Sequence, residues 1–201
     1  MIREEWLNLA GKELRTKVFE KKDIKWNESC SIKISCGWPT SKALSRDNRT
    51  LGQCHKSDQS EGYHNEIFVS PCLSEADKVL EVMVHEIIHA LDDCESKHSG
   101  FFAKTAKKVG LEGRATHTHA GEELSVCLNA ITSELGPYPH SKLEPKPREK
   151  KQTTRLIKAM CPCGYIIRTT KQWIKKGLPT CPCGQKFILE DKKDDEDAES
   201  V

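Results

Sequence analysis

No apolar run in this chain approaches the length of a membrane span. The N-terminal stretch MIREEWLNLAGKELRTKVFEKK puts charges into every turn. That excludes the uninterrupted apolar core of a signal peptide or anchor, and predicts an intracellular protein with no membrane partner. Aromatic residues are scarce at 6%, and apolar residues of all kinds reach only 36%. A chain of 201 residues so composed can bury one real core and carry one minor appendage. Internal repeats are missing as well, apart from a paired cysteine motif near the C-terminus. Cysteine itself is not scarce, for there are ten. Without an export signal, a reducing compartment favours thiols or metal ligands over disulfides, so the cysteines must be read by spacing.

The formal charge of +2 conceals an asymmetry. Between Lys142 and Lys186 there are 12 Lys and Arg against 2 Glu, a net +10, whereas Glu190 to Ser200 carry 2 Lys against 7 acids, a net −5. The rest of the chain is mildly acidic. GPYPHSKLEPKPREKKQ, with its four prolines, reads as an extended solvated connector, and EDKKDDEDAESV as an acidic disordered tail with almost nothing to bury. The organisation expected is therefore a main domain over 1–136, a Pro/Lys-rich linker over 137–152, a small domain over 153–189 and the tail over 190–201.

Within the main domain, WLNLAGKELRTKVF suits a helix, SIKISC alternates as a half-buried strand, and EIFVSP is a second strand stopped by Pro71. The stretch between these strands is rich in turn formers and has room for one short strand. Ser74 ahead of Glu75 and Asp77 has N-cap chemistry, predicting a helix from about Glu75 to Asp92. A short helix over 101–109 should end at Gly110, and GEELSVCLNAITSEL should form a third.

The chemistry concentrates in the first of these helices, VLEVMVHEIIHALDD. His85 and His89 are one helical turn apart on one face, where two imidazoles can meet a single zinc ion. Glu86 is offset by about 100°, beside the metal, where a general base belongs. Two histidines packed in a helix are the bland alternative. The flanking residues argue against it, because Val82, Val84, Ile87, Ile88, Ala90 and Leu91 bury this helix and two histidines and a glutamate need a strong partner there. A third ligand six residues after His89 is excluded, since Glu95 stands at that place. Glu122 and Glu123 on a later helix and His98 in KHSGFF remain available. Asp92, one turn past His89 on the same face, is either a second carboxylate orienting that histidine or a solvated helix end. His117 and His119 in THTHAG read as exposed or substrate-facing loop residues.

With His-Glu-x-x-His-Ala followed by a loop and then His98, Gly100 and Phe102, the chain resembles the SprT-like metallopeptidases, the family that includes Spartan proteases. ISCGWPT, EIFVSP and GLEGRATHTHAG resemble its phage and bacterial subset, and the resemblance spans roughly residues 30 to 185. It implies an α+β zincin-like catalytic domain with a small sheet, His98 as third zinc ligand beside His85 and His89, Glu86 as general base, and a bacterial or phage setting with DNA nearby.

CPCGYIIRTTKQWIKKGLPTCPCG presents Cys161, Cys163, Cys181 and Cys183 as two like knuckles. Four thiolates closing on one tetrahedral zinc form a structural site with no open position, and metal supplies the folding energy that so small a domain lacks. Each knuckle has one residue between its cysteines where zinc ribbons usually have two. Two disulfides or a redox site are the alternatives. Around them Arg168, Lys171, Trp173, Lys175 and Lys176 combine positive charge with an aromatic ring, the composition of a surface that binds phosphates and stacks on bases. The competing reading has Trp173 and Tyr165 as the ribbon's only core. The chain is thus expected to be a zinc-dependent endopeptidase with one catalytic and one structural zinc, acting on proteins at DNA. A DNA-associated zinc protein with vestigial protease activity is the alternative.

Overall fold

The computed structural model describes residues 1–26, 31–45, 47–145 and 156–189, and the expected acidic tail at 190–201 lies outside them. Over these residues the chain is a mixed α+β protein with small sheets, in two units, Met1–Pro147 and Arg148–Val201.

The larger unit starts with α1, Arg3–Leu14, whose buried Trp6, Leu7, Ala10 and Leu14 form one stripe. The chain widens into a π turn over Arg15–Phe19 that turns Val18 and Phe19 into the same core. Three strands follow: β1, Ile32–Cys36, β2, Gly52–His55, and β3, Asn65–Val69. They form a sheet of order β1-β3-β2, with β1 parallel and β2 antiparallel to β3. β3 is therefore central, its Asn65, Ile67 and Val69 buried on alternate positions. EIFVSP is a strand as expected but offers no edge; the edges are β1 and β2.

α2, Ala76–Leu91, is buried on nearly every side through Val79, Leu80, Met83, Val84, Ile87, Ile88 and Ala90. Ser74 does not cap it. The cap position is Glu75, with no side-chain capping bond, and the first-turn acid Asp77 accepts the Thr132 hydroxyl at 2.6 Å. α3, Gly100–Val109, ends at Gly110, whose φ of 93° lies in the left-handed region that glycine enters freely. THTHAG is not a loop but the second strand of a hairpin, β4, Leu111–Arg114, with β5, His117–Ala120. α4, Glu122–Leu135, buries Leu124, Leu128 and Ile131, as its stripe predicts.

The connector begins later than its prolines suggest. Tyr138 is buried with its ring 5.1 Å from Trp6, Trp6 Nε1 donates to Gly136 O at 3.1 Å, and Leu143 N–H donates to Pro71 O at 2.7 Å. Residues 137–145 thus belong to the larger unit's packing, and 146–152 of the expected linker lie outside the described residues.

The smaller unit has β6, Ile157–Met160, flanked by β7, Ile166–Thr169, and β8, Ile188–Leu189, in an antiparallel sheet, with a short helix α5, Lys171–Lys176. Its core is Ala159, Cys161, Cys181 and Phe187, with Ile167 and Leu178 against it. Among the described residues no helix is long and apolar enough to cross a membrane.

Candidate metal centre

α2 carries His85 and His89 into the same space, and the loop after it returns His98 to them. His98 Nε2 lies 3.3 Å from Nε2 of His85 and 3.3 Å from Nε2 of His89. Two nitrogens bound to a tetrahedral zinc at about 2.0–2.1 Å must stand about 3.3–3.4 Å apart. The donor set therefore fits zinc in kind and in spacing. The three ligand atoms lie within 4.8 Å of one another.

Burial, and then the neighbouring imidazoles His89, His98 and His117, push the His85 ring down to about 3. His89 is lowered to about 4, by burial first and then by His98, and burial also lowers His98. His85 and His89 are neutral at pH 7, and the shift of His98 favours the same neutral form, the state that ligates a metal. His85 Nδ1 is 2.8 Å from Thr118 Oγ1 on β5. With Thr118 accepting, His85 carries its proton on Nδ1 and turns the Nε2 lone pair towards His98. Phe102 walls the cluster, its ring stacked on His89 at 4.4 Å and 25° and edge-on to His85 at 4.8 Å.

Glu86 reaches beneath β2. It is 7% exposed, and burial raises its carboxyl to about 8, against a smaller opposing pull from the Cys54 backbone N–H. β2 can lie this close only because residue 52 is glycine. A Cβ there would stand 2.5 Å from Val82 Cγ1 and 2.6 Å from Glu86 Oε1.

Among the described residues the cluster within reach of one ion consists of the three histidines alone. Glu122 and Glu123 are exposed in the first turn of α4, Glu123 paired with Lys22. Asp92 turns into the loop, accepting the Ser96 N–H at 3.0 Å, and its buried Oδ1 has no hydrogen-bond partner among the described residues. His117 and His119 are exposed on β5. Elsewhere His64 pairs with Glu66 at 2.7 Å and His140 Nε2 lies 2.9 Å from Pro71 O. The residues that pattern alone did not mark are Gly52, Thr118 and the turn residue Asp93. Nothing in their local sequence signals a role, because each acts across the fold.

The four cysteines of the smaller unit also meet. Cys161 and Cys183 sulfurs are 3.4 Å apart, Cys163 and Cys181 sulfurs 3.6 Å, and all four lie within 4.8 Å. A disulfide needs about 2.05 Å, whereas sulfurs on a tetrahedral zinc at about 2.3 Å stand about 3.8 Å apart. The spacing matches the shared ion far better, so this group too is compatible with zinc.

The two knuckles have one backbone plan. Cys161 N–H donates to Tyr165 O at 2.9 Å and Gly164 N–H to Cys161 O at 2.8 Å; Cys181 to Gln185 and Gly184 to Cys181 repeat both bonds. Gly164 and Gly184 supply the tight reversal at φ 89° and 84°. That reversal lets knuckles with a single intervening residue still converge.

The aromatic rings sit outside this unit's core. Trp173 is 56% and Tyr165 55% exposed. Lys171, Lys175 and Lys176 are exposed on α5 with Trp173, Lys176 Nζ standing 4.8 Å over its ring, and Arg168 is exposed on β7 opposite Lys158. Compared with protein-family models, with curated proteins and with solved structures, the chain matches none.

Proposed function

We propose that this chain is a zinc-dependent endopeptidase of SprT-like type, a zincin-like domain followed by a zinc ribbon that brings it to DNA. The observation that carries the reading is the 3.3 Å meeting of His98 with both helix histidines, on the same helix as a buried glutamate. Zinc held by His85, His89 and His98 would supply the Lewis acid that polarises a peptide carbonyl and acidifies the attacking water. The Glu86 carboxylate takes the proton from that water and hands it to the leaving amine. Thr118 keeps the His85 ring oriented through Nδ1, and Phe102 keeps bulk water from the ligands.

A peptide strand would lie along β2, the sheet edge packed against α2. Backbone pairing at an edge reads little side-chain identity, so sequence specificity is weak and location selects the substrate. The ribbon reading rests on the exposed Trp173 and Tyr165 amid Arg168, Lys171, Lys175 and Lys176. Rings left outside a core while surrounded by cations suit stacking on bases between phosphate contacts.

The test is cleavage of a DNA-bound protein by zinc-loaded wild type and Glu86→Gln, each with and without single-stranded DNA. The reading expects wild type alone to cut, and faster with DNA. If neither protein cuts although both hold two zinc ions, the protease reading falls and the chain is a DNA-associated zinc protein. Cutting by wild type that DNA leaves unchanged would overturn the recruiting role alone.

A further inference from the structure

We infer that Asp93 is the residue that delivers His98 to the other two histidines, a positioning residue for the metal site; the inference rests on reading that site as a metal centre. A helix that supplies two ligands must reverse sharply for a third to return nine residues after the second. α2 does so with paired closing bonds: Cys94 N–H donates to His89 O at 2.7 Å and Asp93 N–H to Ala90 O at 3.2 Å. This way of ending a helix requires a left-handed residue at its turn, a place that glycine usually holds. Here it is Asp93, at φ 52°. Aspartate tolerates that conformation better than most residues because its short carboxylate can find local donors.

The donors it finds lie outside the loop. Asp93 Oδ1 accepts the Ser57 N–H at 2.8 Å and the Asn65 side-chain amide at 2.7 Å, and Oδ2 accepts the Ser57 hydroxyl at 3.1 Å. Ser57 begins the short turn after β2, and Asn65, 2% exposed, opens the central strand β3. One carboxylate thus fastens the end of the ligand helix to the sheet.

From that fixed point the loop passes through two more left-handed residues, Cys94 at φ 60° and Lys97 at φ 50°. Three such residues among five hold only where the surroundings over-determine them. Inside the loop, Asp92 accepts the Ser96 N–H, and Ser96 Oγ accepts the Phe102 N–H at 3.2 Å, which seats the ring stacked on His89. From outside it, besides Asp93, come the exposed Lys56–Glu95 ion pair and a Cys94 thiol contact to Cys54 O at 3.8 Å. An exposed ion pair and a weak sulfur donor hold far less than three bonds to a carboxylate. Asp93 therefore sets where His98 can reach.

The experiment measures zinc affinity of the full chain by chelator competition, with cobalt absorption as a second readout of three-histidine coordination. Asp93→Gly keeps the backbone freedom and removes the carboxylate, and should weaken the histidine site about 10–100-fold. Asp93→Asn, whose carbonyl still accepts from Ser57 and Asn65, should stay within about threefold of wild type. In a His98→Ala background Asp93→Gly should have no further effect, because its only route to the metal is gone. Asn65→Ser, which removes one donor, should repeat the pattern and serves if Asp93→Gly fails to fold in chelator. The inference is overturned if Asp93→Gly binds zinc like wild type, or weakens it equally with and without His98. If wild type binds one zinc only, at the cysteines, the metal-centre reading itself fails; two zincs with insensitive Asp93 variants sink this inference alone.

Discussion

Zinc uptake at pH 7 should release about one proton more from wild type than from Glu86→Gln. Burial raises the Glu86 carboxyl to about 8, so about nine in ten chains carry that proton at pH 7 before metal arrives. His85 and His89 contribute almost nothing, since near 3 and near 4 about one ring in a thousand or fewer is charged, and the proton count of His98 is common to both proteins and cancels in the difference. Glu86 follows the ligand His85 directly in the helix, and a dication anywhere within about 10 Å of the carboxylate, at an effective dielectric near 20, favours its ionised form by about 3 kcal/mol or more, about two pK units at the least. That reverses the effect of burial, and the proton leaves. Glutamine has no proton to lose.

The assay is calorimetric titration of zinc into each protein in buffers of different ionisation enthalpy, where the slope of observed heat against buffer enthalpy counts protons released. Thiols of the cysteine site release theirs equally in both proteins and cancel in the difference. A difference near zero would refute the reasoning, since it would mean that Glu86 is already ionised without metal or stays protonated with it. A larger release in both proteins than the thiols explain would instead place charged histidines in the metal-free site.

Four further outcomes follow from the same geometry. In chelator, the larger unit should unfold at lower temperature on both sides of a maximum near neutral pH: the lowered histidines lose their stabilising difference as pH falls below about 6.5, and the raised Glu86 loses its own as pH climbs from about 4.5 through 8. A thermal denaturation series against pH that rises steadily from 4 to 9 would contradict this. Thr118→Val removes the acceptor at His85 Nδ1 and should weaken zinc about tenfold or more by chelator competition, while Thr118→Ser keeps it. Gly52→Ala sets a methyl 2.6 Å from Glu86 Oε1; it should cost about 1–3 kcal/mol in denaturant unfolding and abolish cleavage with zinc still bound. Trp173→Ala should cost about 1–3 kcal/mol of single-stranded DNA affinity, and Lys175→Gln should shallow the salt dependence by about one phosphate contact.

Helix periodicity made α2, α4 and the His85/His89 face legible, because an imidazole pair one turn apart is a local property of the chain. The sheet was harder. β2 is only GQCH, with no apolar alternation, and packs through a glycine backbone rather than through side chains, so nothing in its composition announced that it, and not β3, would form the edge beside the glutamate. THTHAG has no large apolar residue to mark a strand, yet pairing with β4 turns Thr118 onto His85. The smaller unit's cysteines were readable from their repeated pattern, but that one-residue knuckles could converge depended on the left-handed glycines after them.

The third ligand shows where reading residue by residue stops. His98 follows His89 at no helical or strand spacing; the residues alone leave it beside Glu122 and Glu123 as a candidate, and the resemblance chooses it. Its place depends on a left-handed Asp93 whose partners, Ser57 and Asn65, come 36 and 28 residues earlier. A search for glycine at the helix end fails here because the backbone conformation is held by a carboxylate with three donors instead. The same device places two acids in succession at the helix end with opposite tasks. Asp92 closes the loop on itself through Ser96, while Asp93 fastens it to the sheet, so truncating either to glycine should break different bonds and, for zinc, only the second should matter much.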